Sequence, residues 1–112
     1  MCFNRVKTLL DKSLQDWSAA NGGLEPDLSR HNVSGKPAFG WSTAAELKAA
    51  WGKGVPLIQP EVIGNGRGGE ANLVVDLRTG FNGRPRMPRG GPYLSIAEID
   101  EIVAWIDVGC PA

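Results

Sequence analysis

From Leu94 onward the chain reads LSIAEIDEIVAWIDVGCPA, and this stretch constrains the fold more than any other. Ser95 and Glu98 have the Ser-x-x-Glu spacing of a capping box, in which each side chain satisfies the other residue's backbone N–H at a helix start. Leu94, just outside, is placed to staple against Ile99. Ile96, Ile99, Ile102, Val103 and Ile106 then recur at helical spacing as one apolar stripe. Glu98, Asp100, Glu101 and Asp107 take the solvated face. Gly109 is the expected C-cap, and Pro111 prevents continuation.

Three more helices follow from the same periodicity. Over residues 3–18, Phe3, Val6, Leu10, Leu14 and Trp17 recur at spacings of three and four, with Arg5, Lys7, Asp11 and Lys12 on the other side. Asn21-Gly22-Gly23 ends that helix. Between Leu24 and Trp41, Pro26, Gly35, Pro37 and Gly40 preclude a long regular element. Thr43-Ala44-Ala45-Glu46 repeats the capping-box pattern, so AAELKAAW is a short helix stopped at Gly52. KGVPLIQPEVIGNGRGG reads as an irregular wrap with at most a turn of helix. GEANLVVDLR is a third helix, with Leu73, Val74 and Leu77 facing inward and Gly80 ending it. TGFNGRPRMPRGGP is loop. No segment alternates at period two, so the expected class is all-α, four or so short helices with long loops. At 112 residues without internal repeats, the chain is a single domain, 1–112.

Twelve basic residues balance twelve acidic ones, which favours neither nucleic acid nor an anionic membrane. No apolar run approaches the ~20 residues that span a bilayer. The start, MCFNRVKTLLDKSLQDW, is amphipathic and interrupted by charge, unlike a signal peptide. A cytoplasmic location is expected, or a periplasmic one where a leader has been removed. Cys2 and Cys110 permit one disulfide, but two free thiols are the better reading in a reducing cytosol.

The order of helix, long loop, short helix, helix, Met-Pro loop and Trp-bearing final helix resembles class I cytochrome c. The wording RMPRGGPYLS…EIDEIVAWIDVGCP is similar to the cytochrome c-like domains of the planctomycete type. Their ends typically read Met-Pro, glycine or proline, Leu-Ser, and Trp-Ile-x-x-Gly. The C-terminal third carries the specific match, the middle fits more loosely, and the first helix fits by position. The resemblance implies a cytochrome c-like fold with Met87 at the axial-ligand position and Trp105 at a core position. It also implies first and last helices in contact, Leu10 meeting Ile102 or Val103, which would bring Cys2 and Cys110 close.

The same comparison exposes a loss. Laying DKSLQDWSAANGG against the family's Cys-x-x-Cys-His-x-x-x-Gly places Leu14 and Trp17 at the two cysteine positions and Ser18 where the proximal histidine belongs. Thioether links need thiols and the iron needs an imidazole, and these residues supply neither. The resemblance therefore implies a haem-free binding module without cofactor. It would be an accessory subunit or adaptor for a partner protein, or would hold a small apolar ligand in a vestigial haem pocket of Leu14, Trp17, Ser18, Trp41 and Met87. Trp17 is expected to point into the volume the porphyrin would have filled, since an indole buries roughly 150–250 Å². The alternative is electron transfer by a haem held non-covalently between Met87 and His31, the single histidine. His31 stands thirteen residues past Ser18, where the family has loop along the haem edge, and a lone loop histidine is more often exposed or hydrogen-bonded than a ligand.

Other motifs carry less. Gly64-Asn65-Gly66-Arg67-Gly68-Gly69 satisfies G-x-G-x-x-G but lacks a preceding strand and room for βαβ units. A tight glycine turn is the main reading, with an anion held near Arg67 as the looser one. No His or Cys pair has metal-ligand spacing, and no nucleophile–base set supports an enzyme in its own right. Arg84, Arg86 and Arg89 surround Met87, either as a basic docking rim for an acidic partner or as a solvated loop.

Overall fold

The computed structural model describes residues 2–25, 31–52, 54–81 and 85–112, which are mostly helical, with four α-helices and one two-stranded sheet among them. The first helix, α1, spans Phe3–Ala20 and buries Phe3, Val6, Leu9, Leu10 and Ser13 along one face. Its outer face carries the i,i+4 pairs Lys7–Asp11 at 2.7 Å and Lys12–Asp16 at 2.8 Å. The helix runs two residues past the sequence expectation. It closes where the N–H groups of Asn21 and Gly23 donate to the Ser18 carbonyl and the chain turns left-handed at Gly22 and Gly23.

Helix α2 is Ala44–Ala49, opened by Thr43, whose hydroxyl accepts the Glu46 N–H. Glu46 reaches back one residue further than a capping box requires, to the Ser42 N–H. The expected extension through Trp51 does not form. Instead Trp51–Gly52 (β1) pairs antiparallel with Val55–Pro56 (β2), Trp51 opposite Pro56 and Gly52 opposite Val55. The reason lies in Phe39: a Cβ on Gly52 would stand 2.9 Å from its ring, so the chain passes extended beneath the aromatic where only glycine fits. Two 3-10 turns follow, Pro60–Val62 and Gly68–Glu70.

Helix α3 is Asn72–Arg78, shorter than GEANLVVDLR because Ala71 is extended (ψ 139°) and separates it from the preceding turn. Leu73, Val74 and Leu77 are buried, as their period requires, and Gly80 turns left-handed after the helix. Helix α4 is Ile96–Asp107, with both halves of the Ser95–Glu98 capping box formed. Its buried residues are Ile99, Ile102, Trp105 and Ile106. Ile96, expected in the stripe, is 77% exposed. At 3.6 residues per turn it lies roughly a third of a turn from the centre of the buried face. Trp105 completes the face instead, its indole N–H donating to the Pro111 carbonyl at 2.8 Å.

Helix α4 packs against α1, α3 and the Gly68–Glu70 turn. Phe3 meets Trp105 at 5.6 Å between ring centroids, Arg5 donates twice to Glu101 at 2.9 Å, and Lys12 lies 3.6 Å from Glu98. Rising numbers on α1 thus meet falling numbers on α4, so the two helices cross in opposite senses. Leu10 and Ile102 sit in the same buried cluster. The acidic residues of α4 are ties rather than a free solvated face. Beyond the Glu98 and Glu101 contacts, Asp100 pairs with Arg78 at 2.8 Å, and Asp107 accepts the Gly68 N–H at 2.7 Å. The exposed ion pairs among them add little stability, because water and salt screen them. No helix of the described residues is long and apolar enough to cross a membrane. Cys2 is exposed and Cys110 buried, both unbridged, and burial pushes the Cys110 thiol up to about 11.

Candidate functional site: an apolar cleft beneath Met87

The three residues Leu10, Ser13 and Leu14 of α1 share a face, as do Leu73, Asp76 and Leu77 of α3. The two faces bound a cleft of about 110 Å³, lined also by Gly52 of β1 and Val55 of β2 on one side and by Met87-Pro88 on another. Leu10, Ser13, Trp41, Leu57, Leu73 and Leu77 are buried and form its floor. Leu14, His31, Phe39, Val55, Phe81 and Met87 are half-buried and mark its mouth.

One wall is a run of rings. His31 stacks on Phe39 at 4.3 Å with planes 16° apart, and Phe39 meets Trp41 edge-on at 5.5 Å. Trp41 is fixed from behind, its indole N–H donating to Asp11 Oδ1 at 2.9 Å, while Lys7 donates to the other oxygen at 2.7 Å. Burial pushes the Asp11 carboxyl up, but the hydrogen bonds from Lys7 and Trp41 and the Lys7 charge outweigh it, leaving the group below its ordinary value. An ionised Asp11 therefore orients the indole at neutral pH.

The opposite wall is pinned at several points. The Met87 N–H donates to the Asp76 carbonyl at 3.0 Å. Arg86 donates from Nε to the Leu77 carbonyl at 2.7 Å and from Nη2 to the Leu94 carbonyl at 3.4 Å, with its guanidinium 4.2 Å above the Tyr93 ring. Two residues beyond Met87, the Arg89 carbonyl accepts the Trp17 indole N–H at 3.0 Å. The segment carrying Met87 is thus held by α1, α3 and the approach to α4 together.

Four residues singled out from sequence come together here: Leu14, His31, Trp41 and Met87. Trp17 and Ser18 do not line the cleft. Trp17, expected to point into the pocket, is half-buried outside this lining, and its indole N–H donates to the Arg89 carbonyl at 3.0 Å. Ser18 contributes its carbonyl to the end of α1. Arg86 is a tie across the fold and not part of a free docking rim. Arg89 is exposed with its carbonyl engaged. Arg84 lies outside the described residues. Sequence reasoning read Leu73 and Leu77 as inward-facing without assigning them to the site, and missed Leu57 and the ring of Phe39, although Phe39 and Trp41, two apart in a non-helical stretch, fall on one side of an extended chain.

The glycine motif is a turn. Gly64 and Gly66 are left-handed, the Gly68 N–H donates to Asp107, and Arg67 is paired with Glu70 at 3.1 Å, so the Gly68 donor and the Arg67 side chain are already engaged. The one sheet described is antiparallel, with two residues per strand, which is no setting for a dinucleotide. Among the described residues no group of three or more His, Cys, Asp or Glu side chains is arranged to hold a metal ion. Comparison with protein-family models, with curated proteins and with solved structures yields no match to this chain.

Proposed function

We propose that the chain is a haem-free cytochrome c-like domain acting by binding, with a small apolar ligand held in the cleft beneath Met87. In this reading it serves as an accessory subunit or adaptor for a partner protein. The observation that carries the proposal is that residues from two former haem positions line one cleft. Leu14, at a former thioether position, and Met87, at the former axial position, bound the same space of about 110 Å³. Leu14, Trp17 and Ser18, at the former attachment positions, offer a porphyrin neither thiol nor imidazole, and no redox step is derived through it.

A second reading, electron transfer by non-covalent haem, is favoured by one observation: His31 and Met87, an imidazole and a thioether, line the same cleft. Titration of the purified chain with haemin separates the two. The binding module gives only the absorption of free haemin, whereas stoichiometric uptake with a shifted Soret band, lost in His31→Ala, would replace it with the electron carrier.

A further inference from the structure

We infer that Ser13 is the polar anchor of the cleft. Its ligand is an apolar molecule with a terminal hydroxyl or carbonyl oxygen, which enters oxygen first; this rests on the binding reading above. Ser13 is the one buried polar side chain among the described residues, 6% exposed, and it lies on the floor of the cleft. A helical hydroxyl can satisfy itself by donating to the carbonyl four residues back. Thr8, on the outer side of the same helix, does so, meeting the Asn4 carbonyl at 2.9 Å. The Ser13 hydroxyl makes no hydrogen bond to any described residue. Its oxygen is nevertheless open to the cleft, since no fully enclosed side-chain oxygen of the described fold lacks a partner.

The rest of the lining sets the orientation. Asn72 has its amide committed to the Pro56 carbonyl at 2.8 Å, and Asp76 is engaged within the fold. Ser13 is therefore the hydroxyl left for a ligand. Hydrocarbon laid against it leaves the hydroxyl unpaired, whereas an oxygen there pairs with it. A hydroxyl both donates and accepts, so Ser13 serves an alcohol or a carbonyl alike. The half-buried mouth is the reverse, with Leu14, Phe39, Val55, Phe81 and Met87 presenting carbon and sulfur to a tail. Because the mouth is open, the tail can run past it, and its length is not fixed by the volume of the cleft.

Chemical-shift titration of the full chain and of Ser13→Ala with three probes tests this: 1-hexanol, 2-hexanone and 1-chlorohexane. Each should bind wild type saturably and move the Leu73 and Met87 amides. Ser13→Ala should weaken 1-hexanol, 2-hexanone or both by roughly two- to tenfold, the worth of one hydrogen bond, and leave 1-chlorohexane within about twofold. The variant should unfold in urea at or above the wild-type midpoint, because alanine is the better helix former and no bond within the fold is lost. Ser13→Cys keeps the shape and loses most of the hydrogen-bonding power, and gives the same comparison if the alanine variant does not fold. In bound 1-hexanol, the carbon bearing the hydroxyl should show Overhauser contacts to Leu10 and the terminal methyl to Met87. Equal losses for all three probes, no loss for any, or a reversed orientation overturns the anchor and leaves the cleft a binding site. Saturation by none of the three overturns the binding reading itself.

Discussion

Gly68 sits where the turn before α3 presses on α4, and Gly68→Ala tests how tightly that contact is built. A Cβ there would stand 2.7 Å from the Val103 carbonyl oxygen, 2.7 Å from Asp107 Oδ1 and 3.1 Å from Ile106 Cβ. The first is backbone inside a helix and cannot rotate away. Relief requires the turn to retreat by about half an ångström or more, stretching the 2.7 Å hydrogen bond from the Gly68 N–H to Asp107. Overpacking of this kind costs about 1–3 kcal/mol, and weakening a bond to a charged acceptor adds up to about 1.5. A net loss of about 3 kcal/mol is expected, a large part of the 5–15 kcal/mol typical of a domain. Urea unfolding followed by tryptophan fluorescence should then show an unchanged slope and a midpoint lower by roughly 1.5–2 M. The neighbour provides the control. A Cβ at Gly69 meets only the movable Arg78 Nη1 at 3.4 Å, and its φ is not left-handed, so Gly69→Ala should be neutral or stabilising by up to about 1 kcal/mol. If Gly68→Ala lies within 0.5 kcal/mol of wild type (roughly the scatter of surface substitutions), or if Gly69→Ala costs as much, the close approach is not what holds this turn.

Met87→Leu conserves volume and should cost less than ~1.5 kcal/mol in the same assay, while loss of a coloured cofactor on that substitution would contradict the haem-free reading. Cys110 gives a pH signature. Its thiol is raised from 9.0 to about 11 in the folded state, so between those values the unfolded chain has lost the proton and the folded chain has kept it. Stability should fall as pH rises from 9 toward 11, more in wild type than in Cys110→Ala; equal slopes would refute the shift. At pH 8 a thiol reagent should modify Cys2 promptly and Cys110 only on unfolding, read as one fast thiol per chain. Leu14→Cys, Trp17→Cys and Ser18→His together rebuild Cys-Gln-Asp-Cys-His, and in a periplasm with cytochrome maturation machinery that variant should acquire some covalent haem while wild type acquires none. Haem on the wild type would reverse the proposal.

The last helix was legible because its signals are local. Ser95, Glu98, Gly109 and Pro111 act within a turn of where they stand, and the capping box forms as read. What sequence could not give was set by contacts between distant residues. Ile96 matches the stripe in spacing but falls at its flank, because where α1 and α3 lie decides which part of α4 is covered. The helix toward Trp51 gives way to a strand at Trp51–Gly52, where a ring thirteen residues before Gly52 lies over the glycine. In the glycine motif the residue whose smallness matters for packing is Gly68, which occupies a free position of G-x-G-x-x-G, so the pattern pointed to its neighbours. For the site, Leu14 and Met87 were found by alignment and Trp41 by its size. Trp17 was placed on the right segment with the wrong task, since no periodicity says which carbonyl an indole N–H will reach.

The pairing of α1 with α4 also governs the order in which this chain becomes safe from its own apolar surface. Arg5 and Glu101 are 96 residues apart. During synthesis at about 5–20 residues per second, α1 emerges from the ribosome roughly 5–20 s before the helix that covers it. For that interval Phe3, Val6, Leu9 and Leu10 have no native partner on α4, and a chaperone or a neighbouring nascent chain can occupy them first. Truncation anywhere before Ile99 leaves that face uncovered, so a release of incomplete chains should yield aggregates and not smaller folded units.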